Sequence, residues 1–165
     1  MAPRQHERLW KGGRLTDETL ALMATDYRKR FPEKAIMCHF EQAGWAYLCA
    51  GGSLPNLPAT TPPELLKLIA SMQPSLQNQS NHLWGIWGQG VGGLIYSNPT
   101  ESSSLQIDLS EEKEPFYAYS MNLQSGKING ENPILIHGGK VTDFSLKAGK
   151  SLFWFRKAPV ATEKN

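Results

Sequence analysis

The chain has no long apolar run, few cysteines and histidines, and no large excess of charge of either sign. No stretch approaches the roughly 20 apolar residues of a membrane-crossing helix. The opening Met1-Ala2-Pro3-Arg4-Gln5-His6-Glu7-Arg8 lacks the apolar centre of a signal peptide. The expectation is a cytoplasmic protein, or one delivered into a host cell without a classical signal peptide. Cys38 and Cys49 suit reduced thiols there, although a hairpin between them would bring the pair within bonding reach. His6, His39, His82 and His137 are scattered, and neither a Cys-x-x-Cys pair nor a His-Glu-x-x-His helix occurs, so neither metal nor cofactor is expected. A net charge of +2 falls short of the electrostatic footprint of nucleic-acid and anionic-membrane binders. Basic residues gather mildly between Arg4 and Lys34 and again at Lys150, Arg156 and Lys157, which ranks nucleic acid behind a protein partner.

What the chain has instead is glycine, proline and tryptophan: 15, 11 and 5 of them in 165 residues, a mixture that favours short strands and many turns. The pattern predicts a basic N-terminal extension over 1–14, one α+β domain over 15–157 with a subdomain junction at 73–81, and a disordered tail over 158–165. In the first half, Thr16 can cap a helix whose core positions are Leu20, Met23, Ala24, Tyr27 and Phe31, stopped by Pro32. Ala35–Glu41 and Trp45–Ala50 read as a β-hairpin turning at Gly44. Thr61-Pro62-Pro63-Glu64 reads as a capping box opening a second helix through Met72. After the polar segment 73–81 only strands follow: His82–Trp87, Val91–Ser97, Leu105–Leu109, Phe116–Asn122, Ile134–His137, Val141–Leu146 and Ser151–Arg156. The fold class is therefore α+β, with two N-terminal helices packed on a mainly antiparallel sheet that curls into a half-barrel or a sandwich. In the last strand Leu152 and Trp154 alternate with Phe153 and Phe155, so both faces are apolar and the strand belongs at the centre of the sheet or at a partner surface.

Gly88-Gln89-Gly90-Val91-Gly92-Gly93 has the spacing of a dinucleotide loop, but that chemistry needs a helix next, and Leu94–Ser97 reads as a strand. A glycine-loosened hairpin accounts for it better. Glu111, Glu112 and Glu114 read as a solvated turn, and nothing brings the strand-borne Asp108 and Asp143 together as an acid/base pair. A nucleophile, base and orienting amide are available in chain order as Cys49, His82 and Asn98. The stretch from Asn81-His82-Leu83-Trp84 to Tyr96-Ser97-Asn98-Pro99 resembles the histidine strand and polar-proline turn of papain-like bacterial effector proteases, which implies a cysteine hydrolase. In that family the cysteine opens a helix, whereas Cys49 runs into Gly51-Gly52-Ser53. The favoured expectation is a non-enzymatic binding protein. Its aromatic sheet surface, with Trp84, Trp87, Tyr96, Trp154 and Arg156 as contact residues, meets a protein partner, or else a small ligand or sugar. Because Trp84 and Trp87 are three apart on one strand, they are expected on opposite faces.

Overall fold

The computed structural model describes residues 15–74, 82–130 and 132–158, so the extension at 1–14, the junction from 75 to 81 and the tail from 159 onward lie outside the described residues. Helix α1 (Asp17–Arg30) starts where its capping signals stand. Thr16 Oγ1 accepts the Thr19 N–H at 3.2 Å and Thr19 Oγ1 accepts the Thr16 N–H at 2.9 Å, a reciprocal capping box with threonine in the usual Glu/Gln position. Arg28, Lys29 and Arg30 sit at the negative end, and the cap residue Phe31 precedes Pro32. Leu20, Ala21 and Ala24 form its buried face.

The hairpin expected over 35–50 is not there. Trp45–Cys49 is a helix, α2, and residues 35–41 hold only an isolated parallel bridge from Met37 to Ser53. A short run that is apolar on all sides serves equally as a buried strand or a buried helix. Asp17 decides between them: its carboxylate accepts the N–H groups of Gly44, Ala46 and Tyr47 at 2.7–2.9 Å, the donors that a helix start leaves unpaired. Among the described residues there are thus three helices rather than two. Helix α3 (Pro63–Ile69) carries proline in its first turn as expected, but its capping box does not form. With Pro63 opening the helix the cap position falls on Pro62, held extended at φ −55°, ψ 128° by the proline after it, and Thr61 Oγ1 donates to the Pro58 carbonyl instead.

The strands are β1 (Gln73–Pro74), β2 (Leu83–Gly88), β3 (Gly92–Ser97), β4 (Ser103–Asp108), β5 (Phe116–Ser120), β6 (Ile134–Ile136), β7 (Val141–Leu146) and β8 (Ser151–Lys157). Six form an antiparallel sheet in the order β1-β2-β3-β8-β5-β6, and β4 with β7 makes a separate antiparallel ribbon. The sheet does not close into a barrel; it is the middle layer of a sandwich-like α+β domain. One face carries Trp84, Ile86, Leu94, Tyr96, Leu152 and Trp154 into a core shared with the helices. The other sends Ile95, Phe116, Ala118 and Phe155 against Leu105, Ile107, Phe144 and Leu146 of the ribbon. The two-faced β8 is central, between β3 and β5, as its alternation requires.

The glycine-rich segment is the β2–β3 hairpin, with Gly88 opposite Gly92. Gly92 has φ +109°, and a Cβ there would run into the Phe155 carbonyl oxygen of the adjacent strand. No described helix is long and apolar enough to cross a membrane.

Candidate functional site

The aromatics singled out from sequence divide by the pleat. Trp84, Tyr96 and Trp154 are at most 2% exposed under the helical layer. Trp87, half-buried on the opposite face, packs against Phe116 and Phe155 at 5.6 Å between ring centres. The two tryptophans do take opposite faces, and each face is covered by a core. Arg156 is the one exposed residue of that set; its guanidinium lies 5.6 Å from the Trp154 ring and bonds Glu64 of α3 at 3.1 Å.

Cys49 closes α2 and is fully buried. Burial, together with the nearby Asp17 charge, pushes its thiol well above the ordinary range, against the pull of a bond to the Tyr96 backbone. These surroundings favour the protonated thiol over the thiolate. His82 and Asn98 are neighbours across the β2–β3 hairpin through Asn98 N–H to His82 C=O at 2.8 Å, but the Asn98 amide points to Glu18, donating at 3.3 Å. Both cysteines are free thiols. Among the described residues no cluster of three or more His, Cys, Asp or Glu is placed to hold a metal ion.

Two surface features remain, and sequence reasoning gave neither. The first is a cleft of about 350 Å³ at the seam between helices and sheet. Trp45 and Tyr96 form its floor, Leu57, Pro58 and Leu123 its walls, and Asn56 and Lys150 its polar rim. Beside it, Glu18 Oε1 accepts from Tyr96 Oη at 2.5 Å and pairs with Lys150 Nζ at 2.6 Å. Burial alone would raise the Glu18 pKa, but the bonds from Lys150 and Tyr96 outweigh it and bring it down to about 2. The Tyr96 phenol moves the other way, raised by burial and by the same carboxylate. From sequence Glu18 reads only as a favourable charge at a helix start; no local signal ties it to Lys150.

The second feature lies on the helix-side face of β5. Phe116 and Ala118 are buried toward the ribbon, whereas Tyr117 and Tyr119 are only partly covered. Tyr117 stands opposite Arg156 on β8 and Leu135 on β6, so these side chains share one face. Tyr119 packs 6.3 Å from Tyr117 and 6.2 Å from the buried Trp154, and Leu135 is 45% exposed. The signal was present: Tyr117 and Tyr119 alternate with Phe116 and Ala118 on a predicted strand.

Residues 1–72 match the family model described as a domain of unknown function, DUF6298. No curated protein matches the chain. Partial similarity to solved structures includes a glycoside hydrolase of family 5 from Bacteroides vulgatus, at TM-score 0.40 and 18% identity over 52% of this chain and 20% of that one. A second structure, titled glycoside hydrolase, aligns at TM-score 0.43 and 13% identity over 62% of this chain and 24% of that one. A Paenibacillus polymyxa xyloglucanase from glycoside hydrolase family 44 aligns at TM-score 0.34 and 11% identity, over 51% and 17%. The chain spans about a fifth of the length of these structures.

Proposed function

We propose that this domain is a binding module that holds a protein partner against the open half of its six-stranded sheet, where Tyr117, Tyr119, Leu135 and Arg156 form one patch. The observation that carries this reading is the contrast along β5, where one face is fully packed and the other presents a partly exposed tyrosine pair. Tyrosine and arginine are among the residue types that dominate binding energy at protein interfaces, tyrosine because it brings large contact area at low entropic cost. Backing by Trp154, which is 0% exposed, keeps the patch rigid before any partner arrives. The two free cysteines fit a reducing, intracellular setting for such a module.

A displayed peptide library selected on the wild-type domain tests the reading. Binders should be lost on a folded Tyr117→Ser/Tyr119→Ser double variant. Binders that hold both proteins equally would remove the sheet face as the docking surface.

A further inference from the structure

We infer that the cleft floored by Trp45 and Tyr96 is a binding site for a small, neutral, hydroxyl-rich molecule, separate from the tyrosine patch. Its volume of about 350 Å³ lies within the range of small-molecule sites, roughly 300–1,000 Å³. The floor is fixed in place: Trp45 donates its indole N–H to the Leu123 carbonyl at 3.1 Å and Tyr96 is held by Glu18. Leu57, Pro58 and Leu123 supply apolar walls, and the Asn56 amide is oriented at the rim by donating to the Glu41 carbonyl at 3.1 Å. A rigid apolar slot with a few placed polar groups is the usual form of such sites.

Charge selects the class of ligand. Both Asp17 oxygens are already engaged by backbone N–H groups of Gly44, Ala46 and Tyr47, and Glu18 is matched by Lys150. An anion drawn to Lys150 would lie beside Glu18, and a cation drawn to Glu18 would lie beside Lys150. A hydroxyl avoids both conflicts, since it accepts from the Lys150 ammonium, whose bond to Glu18 engages one of its three N–H donors, while Glu18 lies beside the cleft and stays with Tyr96, Asn98 and Lys150. Hydroxyls on a ring serve the polar groups that line the rim, Lys150 and Asn56, while the ring's C–H face rests on the apolar walls. The site thus favours a cyclic polyol or monosaccharide over a charged molecule of similar size.

Ligand-observed saturation-transfer NMR on the full chain tests this with three probe sets at equal concentration: myo-inositol and glucose, butyrate, and butylammonium. The polyols should give saturable transfer that exceeds both charged probes. Leu57→Trp, which fills the cleft from its partly exposed wall, should abolish it, and Lys150→Met should weaken it about tenfold, the loss of one charge-assisted hydrogen bond. Thermal melts confirm that each variant is folded, and the Leu57 variant decides alone if Lys150→Met is not. Preference for a charged probe, no saturable binding by any probe, or wild-type polyol binding in a folded Leu57→Trp protein would each overturn the inference.

Discussion

Tyr96 on β3 donates to Glu18 on α1 at 2.5 Å, and this bond crosses the seam between the sheet and the helical layer. Lys150, on the turn before β8, closes on the same oxygen at 2.6 Å. One carboxylate thereby ties the first helix to two places in the C-terminal half.

The seam makes stability depend on acid in a defined direction. Glu18 has a folded pKa of about 2 against an ordinary 4.5, so the unfolded chain takes up its proton more readily than the folded one. The stabilisation is complete above pH 4.5 and is lost as pH falls toward 2. Asp17 works in the opposite sense: burial raises its pKa despite three backbone bonds, so the folded form gains relative to the unfolded one as that group protonates. The Glu18 contribution, screened at a partly exposed pair, is about 1–2 kcal/mol. Thermal melts from pH 6 to 2.5 should show Glu18→Gln starting lower than wild type and falling less steeply. Parallel curves would show that the carboxylate does not carry the acid response.

Asp17 has a structural task that its position at the start of α1 conceals. Removing its carboxylate in Asp17→Ala leaves three N–H groups at the start of α2 without acceptors. The expected loss is about 2 kcal/mol, combining a lost cap with buried unsatisfied donors. Urea titration would measure it. A loss under about 0.5 kcal/mol, the level of an ordinary surface change, would mean that α2 is held by packing alone.

The placement of Cys49 predicts its reactivity. It is fully buried with a raised pKa, whereas Cys38 is partly exposed. A thiol reagent at pH 7.5 should modify one cysteine in the native protein and the second only on addition of denaturant, with peptide mapping placing the slow site at Cys49. Rapid native labelling of Cys49 would require a thiolate that these surroundings disfavour and would favour nucleophilic catalysis.

Wherever one residue type has one structural meaning, the sequence was legible. Thr16, Pro32, Pro63 and the glycine pairs punctuate the chain, and alternation along Leu152–Phe155 left two places for β8, of which the middle of the sheet is the one observed. Trp45–Cys49 was not legible, because its apolar residues fit either periodicity and the deciding partner, Asp17, is remote in sequence. The burial of Trp84, Tyr96 and Trp154 was hidden for a related reason. Trp84, Tyr96 and Trp154 alternate correctly, but a strand pattern cannot say that helices cover one face and a ribbon the other. The seam at Glu18 is a product of tertiary packing alone, and no spacing rule reaches it.

The β2–β3 hairpin carries the last prediction. The glycines at 90, 92 and 93 have structural causes within the hairpin itself. Gly92 needs positive φ and lies against the Phe155 carbonyl, and a Cβ on Gly93 would meet the Trp87 ring and the Ile86 carbonyl. Gly90, also at positive φ, has open space around it and donates its N–H to Glu112 at 2.9 Å. Gly92→Ala must therefore displace the ladder between β3 and β8 in the middle of the sheet, at a cost of 2 kcal/mol or more by the order of ~1–3 kcal/mol for overpacking with backbone strain added. Gly90→Ala meets strain without a clash and should cost only about 1 kcal/mol. Denaturant midpoints of the two variants should separate in that order. Equal losses would show that backbone conformation, not the close approach of β8, is what keeps glycine at position 92.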